Sequence, residues 1–251
     1  MPTNLIPMAE QEVIKHTEKV FSIIKDEHHG LWHKVRELLV EVFIIVFAVS
    51  VSIWLHNWSE HRHEQKEVKE FLLGMREDMK SDLGEISSDS VSYVQTAWIM
   101  GYIVRNPLGS ILSRDTLRLG VSRLINETRF NPNIGRYEGF KSAGKLGLIE
   151  HSKLQNAILD LYQEDIPNLL LSENSFINRK IELIRFIAYN RKRTPDGKDN
   201  MPEILSSDTA QSMSAGLLFS EEILERYKIV QSRTRSIIQM IDDLYPEETS
   251  K

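Results

Sequence analysis

Leu38 to Leu55 reads LLVEVFIIVFAVSVSIWL, an apolar run with a single ionisable side chain, Glu41. At about 1.5 Å per residue, a helix of about 18 residues reaches across a slightly thin hydrocarbon core. A helix also satisfies its own backbone hydrogen-bonding groups, as lipid requires. We therefore predict a transmembrane helix over 38–55, preceded by an N-terminal segment, 1–37, and followed by a soluble region, 56–251.

Tryptophans flank the apolar run on both sides. Trp32 precedes it, and Trp54 and Trp58 lie at its far end. Indole rings prefer the headgroup level of a bilayer, so we predict that these three residues are membrane anchors. A buried helix of a soluble protein is one alternative, although such helices seldom carry large apolar residues on every face. A cleaved signal sequence fits less well, because the run starts late and no small-residue cleavage site follows it.

The composition of the 251-residue chain excludes several classes of function. A formal net charge of −5 disfavours nucleic acid as a partner, because nucleic-acid-binding domains usually carry a basic face. The absence of cysteine excludes disulfides, thiol catalysis and cysteine-ligated zinc. The expected partners are therefore the lipid bilayer and either a second copy of the chain or another membrane protein.

The residues after the apolar run predict helices only. A stripe at three- and four-residue steps marks a juxtamembrane helix that leaves the membrane as a coiled-coil-like stalk; the stripe consists of Val68, Phe71, Leu72, Met75, Met79, Leu83 and Ile86. Further helices are predicted over 89–105, over 113–126 with Ser113 as N-cap, in 137–149, from Ser152 to Asn190 with a kink or split at Pro167, and over 220–245. Residues 194–208 are predicted to form a loop, with a turn at Thr194–Gly197.

No run of alternating polar and apolar residues is long enough to predict a sheet. The fold class is therefore all-α, with one N-terminal transmembrane helix that continues into a juxtamembrane helix and a soluble helical bundle. Ala9 to His28 adds an amphipathic helix, which either lies on the membrane, packs on a partner or is simply solvated.

Glu41 is the most informative residue of the apolar run. It lies about one turn inside the run, so its carboxylate either reaches the headgroups, becomes protonated, or faces protein. Glu41, Ala48 and Ser52 share one helix face, and Ala48 and Ser52 form a small-xxx-small pair that permits close helix approach. These three residues are the candidate interface of the span.

The histidines do not predict a metal site. Seven of the eight lie between residues 16 and 63, and His29 and His33 stand four residues apart, a spacing that can share a metal. No carboxylate or further ligand completes such a site, so we predict no bound metal and no cofactor. We also find no convincing Ser-His-Asp, paired-carboxylate or His-Glu-x-x-His arrangement, and we predict no catalytic residues and no enzyme activity.

Two other segments leave alternatives open. Tyr137 to Gly147 contains three glycines and either binds a ligand or turns a corner between helices. The stretch lacks the strand context of a dinucleotide loop and the lysine of a P-loop. Arg191-Lys192-Arg193 is either a solvated tip or a contact for anionic lipid.

The chain resembles a family at five places along its sequence. These are Val40-Glu41, the exit His56-Asn57-Trp58-Ser59-Glu60, Asp82-Leu83, Tyr137 to Leu146, and the helix from Leu154 to Tyr162. In this order they are similar to an uncharacterised group of small bacterial membrane proteins, common in Bacteroidota, that carry a domain of unknown function. The chain departs from that group by Val40 in place of a glycine and by its longer N-terminal segment.

The resemblance implies a location but no activity. It implies a single-pass protein of the bacterial inner membrane, with a cytoplasmic N-terminus and a periplasmic bundle. The positive charges flanking the span do not decide this orientation, because they are equally frequent on both sides. Our primary hypothesis is a membrane-anchored interaction or scaffold protein of the cell envelope that associates with itself or serves as a subunit of a membrane complex. The alternative is a sensory or ligand-binding module whose bundle passes a signal through the span.

Overall fold

A computed structural model of the chain describes residues 31–107, 110–193, 199–218 and 221–246. The predicted amphipathic helix from Ala9 to His28, the pairing of His29 with His33 and the turn at Thr194–Gly197 lie outside these residues. Most of the described residues lie in helices, and the only extended pairing among them is an isolated bridge between Arg193 and Asp199, which confirms the all-α fold class. The chain divides into two compact units, residues 1–66 and residues 67–251.

The first described helix, α1, is continuous from Leu31 to Arg105. The sequence predicted a separate helix over 89–105, and this boundary is wrong. The serine-rich stretch remains helical because its hydroxyls donate to carbonyls one turn earlier: Ser90 Oγ to Ile86 O at 2.8 Å and Thr96 Oγ1 to Ser92 O at 2.9 Å. A hydroxyl that bonds in this way does not compete with the helical backbone.

Seven more helices complete the described part of the second unit. They are α2 (Arg114–Ile125), α3 (Gly135–Ser142), α4 (Ser152–Asp160), α5 (Ile166–Asn190), α6 (Met201–Leu205), α7 (Asp208–Gly216) and α8 (Glu221–Leu244), with a 3-10 turn at Lys145–Leu148. The predicted ends of α2, α5 and α8 agree with the structure to within one residue. Residues 201–205, predicted as loop, are helical instead because Ile204 and Leu205 are buried in the core.

The helical region from Ser152 to Asn190 is divided just before Pro167, where the sequence predicted a kink or a split. A π-helical turn over Leu161–Asp165 joins α4 to α5 directly before the proline. The wider turn removes the i−4 register in which a proline ring collides with a carbonyl. Arg233 of α8 stabilises this turn from outside, because its guanidinium contacts Asp165 and donates to Asp160 Oδ2 at 3.0 Å.

The core of the second unit runs through all of its long helices. The apolar stripe of α1 from Val68 to Ile86 is buried against this core, except for the partly exposed Leu83. The stripe therefore belongs to the core of the bundle and does not form the surface of a separate stalk. One of its partners is Phe140 of α3, whose ring stacks on that of Phe71 with centres 3.9 Å apart. Gly120 of α2 permits close packing, since a Cβ there would collide with the side chain of Ile99.

Candidate functional site

The apolar segment of α1 exposes its large side chains. Phe43, Val46, Phe47 and Ile53 are 56–68% exposed. Within the described residues, α1 is the helix that is long and apolar enough to cross a membrane, and 6% of its most apolar window is buried. A core helix of a soluble protein would be mostly buried, so the structure disfavours that alternative.

The three predicted anchor tryptophans all lie at the surface. Trp32, Trp54 and Trp58 are 89%, 64% and 50% exposed. The guanidinium of Arg62 lies 4.9 Å from the centre of the Trp58 ring, a cation–π contact that orients the indole. The positions suit an interfacial role, and the anchoring itself remains a prediction.

The three residues of the predicted span interface differ in exposure. Glu41 is 7% exposed, whereas its neighbours Val40 and Val42 are about half exposed. Ala48 and Ser52 are exposed, and Ser52 Oγ donates to Ala48 O of the same helix at 2.9 Å. The carboxylate is thus covered within a single chain, while the small-residue pair remains open to the surroundings.

The second unit contains a buried charged cluster that the sequence analysis missed. Glu173 of α5 is fully buried, and both of its carboxylate oxygens accept the Phe130 N–H at 3.2 Å. Phe130 lies in the connection between α2 and α3, and we call residues 126–130 of this connection the latch loop. A carboxylate of α5 therefore holds one end of the latch loop.

Lys180, two turns after Glu173 on α5, holds the other end. It is 6% exposed, and its ammonium donates to Arg123 O at 3.1 Å and to Asn126 O. These are the last carbonyls of α2 and its exit, where a cation is favoured by the helix dipole. Burial lowers the pKa of Lys180, and the charge of Glu127 opposes this effect.

A tyrosine hydroxyl connects Glu173 to a second carboxylate. Tyr227 of α8 hydrogen-bonds Glu173 Oε1, and the same hydroxyl lies 3.4 Å from Asp89 Oδ2 of α1. Burial raises the pKa of Glu173 from 4.5 to about 7, although the donors Tyr227 and Phe130 favour its charged form. Burial also raises the pKa of Asp89, with the nearby Glu85 charge adding to the effect.

An open cleft of about 350 Å³ lies beside this cluster. It is lined by Asp89, Ser92 and Thr96 of α1, by Arg123, and by the latch loop. Tyr93, one residue from the cleft wall, donates to Thr128 O of the loop at 3.0 Å. The latch loop therefore separates the cleft from the buried carboxylate of Glu173.

A signal for this cluster was present in the sequence. The buried stripe of α5 runs through Ile166, Leu169, Glu173, Phe176, Lys180, Leu183 and Ile187. Glu173 and Lys180 thus interrupt an otherwise apolar heptad pattern, which is unusual for charged residues unless they are paired. Tyr227 and Asp89 gave no comparable signal, because their roles depend on contacts between distant helices.

Three of the five stretches that carry the family resemblance, at Asp82-Leu83, Tyr137 to Leu146 and Leu154 to Tyr162, lie in the second unit. Asp82 is 4% exposed and accepts both the N–H and the side-chain amide of Asn133, the latter at 2.6 Å. The rings of Tyr137 and Tyr162 stack with centres 4.3 Å apart. Burial raises the pKa of Asp82, and the Asn133 donors oppose this change. Asp82 thus holds the connection between the latch loop and α3 against α1, and Tyr137 packs α3 against the π-helical turn.

Tyr137 to Gly147 turns a corner between α3 and the 3-10 turn. Gly144 provides the turn with a φ of +71°, a backbone conformation that favours glycine. The second segment for which the sequence left alternatives open, the basic Arg191-Lys192-Arg193, is exposed. Arg191 forms an ion pair with Asp199 at 2.8 Å. In the described parts of the chain, no three His, Asp or Glu side chains gather closely enough to hold a metal ion.

Residues 41–185 match a family of unknown function, DUF6090, and this match covers more than half of the chain. The chain therefore belongs to that family. The match begins at Glu41 and includes both Glu173 and Lys180 of the buried cluster. No curated protein and no solved structure matches the chain.

Proposed function

We propose that this member of the DUF6090 family is a membrane-anchored helical interaction protein that associates with itself through its apolar segment. The exposure of that segment carries the proposal. Large apolar side chains between residues 39 and 58 face outward in nearly continuous succession, whereas most of those of the bundle are buried in its core and the exposed ones are scattered. Exposed apolar surface of this extent is stable in lipid or against another protein.

Ala48 and Ser52 support self-association over simple anchoring. Both are small and exposed, and the Ser52 hydroxyl is already bonded to its own helix. Such a face permits two helices to approach closely without leaving a polar group unpaired. Trp54 and Trp58 would set the depth of the helix in the bilayer. We assign no catalytic role, and place the protein in the bacterial inner membrane with a cytoplasmic N-terminus and a periplasmic bundle, as the sequence resemblance implies.

Substitution of Ser52 tests this proposal against a matched control. We expect Ser52→Leu to shift the purified full-length protein in mild detergent toward a smaller particle, because a bulky side chain keeps the helices apart. Ser50→Leu makes the same chemical change on the opposite face of the helix and should leave the particle mass unchanged. The measurement is light scattering coupled to size exclusion, with the protein content of each particle determined.

Three results would contradict self-association through this face. They are a monomeric wild-type protein, equal effects of the two substitutions, and a stoichiometric second protein in the native particle. The last result would make the chain a subunit of a hetero-complex. Glu41 is less suitable for the test, because it is already buried within a single chain.

A sensory function is the second candidate, and the cleft beside Asp89 favours it. The cleft has both acidic and basic lining residues and is about 350 Å³ in volume, which suits a small polar ligand. A ligand that binds there should raise the unfolding temperature of the protein, and the rise should increase with the logarithm of its concentration above the Kd. A screen of small polar compounds without any such shift would favour the interaction protein.

A further inference from the structure

Among the described residues, four hydrogen-bonding contacts hold the latch loop and Asn131, the residue that follows it, and one of the four involves a carboxyl that is fully buried. Lys180 binds the start of the loop, Tyr93 binds Thr128 O, and the exposed Asn131 N–H bonds Glu85 Oε1 at 2.9 Å. The fourth contact joins Phe130 N–H to Glu173. Because Glu173 has no exposed surface, its ionised form has a high desolvation free energy unless the loop opens and admits water.

The Tyr227 hydroxyl lies between two carboxyl groups, and it has one hydrogen to donate. When Glu173 is ionised, this hydrogen is donated to Glu173, and Asp89 receives none from Tyr227. When Glu173 carries a proton, the carboxyl can donate to the Tyr227 oxygen, which frees the hydroxyl hydrogen for Asp89, 3.4 Å away. Uptake of one proton at Glu173 thus changes the hydrogen bonding of a residue that lines the cleft.

We propose that Glu173, Tyr227 and Asp89 form a proton-operated latch, in which the latch loop closes when Glu173 takes up a proton and opens when Glu173 releases it. The proposal does not depend on membrane association or on self-assembly. Its physical basis is that a closed loop buries the carboxyl and an open loop hydrates it, so the two states bind a proton with different affinity.

The groups around Glu173 have opposing effects on its proton affinity. The titratable and charged groups that act on it come from α1, from the latch loop and from α8: Asp89, Tyr93, Arg129 and Tyr227. On α5 itself, Lys180 lies two turns further along the same buried face, where it bonds to the carbonyls at the end of α2. Burial is the largest influence and favours the neutral form of Glu173. The charge of Asp89 acts in the same direction, whereas Tyr227, Phe130 N–H and Arg129 favour the ionised form.

The direction of the pH dependence follows from the raised pKa. In the closed state the pKa of Glu173 is about 7, above its ordinary value of 4.5. When the loop opens, the hydrated carboxyl returns toward its ordinary pKa. Between about pH 4.5 and pH 7 the open state therefore binds fewer protons than the closed state. Rising pH therefore favours opening, and linkage gives about a tenfold increase in the open population between pH 6 and pH 8.

Amide hydrogen exchange of the full-length protein in detergent tests the latch. The exchange rate of a peptide covering residues 126–131, divided by the rate of the same unstructured peptide, should rise about tenfold from pH 6 to pH 8. Glu173→Gln should abolish this rise, because the amide keeps the acceptor for Phe130 N–H but does not titrate. Glu182→Gln, an exposed substitution on the same helix, should retain it.

Two further substitutions should change, in opposite directions, the increase in the exchange rate between pH 6 and pH 8. Asp89→Asn removes a neighbouring negative charge and should reduce the rise, whereas Tyr227→Phe removes a donor to the ionised carboxyl and should enlarge it. Exchange in α7 serves as an internal reference for global opening. The latch is overturned if the corrected rate in wild-type protein does not change with pH, or if Glu173→Gln retains the rise. If Glu173→Gln does not fold, equal rises in Asp89→Asn and Tyr227→Phe overturn it instead.

Discussion

The apolar segment of α1 and the helical bundle distribute their side chains in opposite ways. Between residues 39 and 58, the large apolar side chains are exposed and one carboxylate, Glu41, is buried. Between residues 68 and 241, the apolar side chains form a core, and the buried charges Glu173 and Lys180 bond to backbone groups. Apolar side chains are stable in lipid or against protein and polar ones in water, so the difference is the one expected if the apolar segment lies in a bilayer and the bundle in water.

Truncation of a core side chain should give the largest effect and tests the role of buried apolar side chains in the bundle. Leu154 of α4 is fully buried, and Leu154→Ala should lower the free energy of unfolding by about 2–5 kcal/mol, because it removes apolar contacts and leaves a cavity. Leu171→Ala is the matched control, since Leu171 is 65% exposed and its loss should change stability by less than about 0.5 kcal/mol. Denaturation in mild detergent, followed by circular dichroism, measures both.

A charge in the apolar segment should give the next largest effect and tests the lipid environment. Val46→Lys places an ammonium near the centre of the run, which costs roughly 2.5–3.5 kcal/mol on insertion scales. We expect a smaller fraction of this variant to resist alkaline extraction from membranes. Ser59→Lys adds the same charge beyond the run and should extract like wild type. Equal retention of both variants would contradict a transmembrane position for the segment.

The sequence was sufficient to predict the helical fold, because the apolar periodicity of α1, α5 and α8 is long and regular. It failed at 89–105, which was predicted as a separate helix, whereas α1 continues through these residues and the hydroxyls of Ser90 and Thr96 bond to carbonyls one turn earlier. It also failed at 201–205, where burial of a short segment decides its conformation. Such outcomes depend on tertiary contacts that local pattern does not contain.

The buried cluster was only partly predictable for a related reason. Glu173 and Lys180 stand at core positions of a heptad, so their burial could have been inferred from spacing alone. The connection of Glu173 to Asp89 through Tyr227 joins residues that are more than fifty positions apart. No periodic pattern predicts which side chain from a distant helix will meet a buried carboxylate.

The smallest predicted effect is the pH-dependent change in stability that the buried Glu173 causes. The folded-state pKa of Glu173, about 7, exceeds its ordinary value of 4.5, so folding favours the protonated form. The stability that proton binding provides is fully present below about pH 4.5 and is lost as pH rises through 7. Glu173→Gln should therefore stabilise the protein by about 1–2 kcal/mol at pH 8 and by little at pH 5.

The matched control for this effect is again Glu182→Gln, which removes an equal charge from an exposed position of α5. Thermal unfolding of both variants at pH 5 and pH 8 gives the comparison. A stabilisation by Glu173→Gln that is equal at the two pH values would indicate a packing effect, and destabilisation at pH 8 would show that the ionised carboxylate is the form that the fold requires. Stabilisation confined to high pH would show that the bundle accommodates Glu173 in its neutral, protonated form and that ionisation of Glu173 lowers stability.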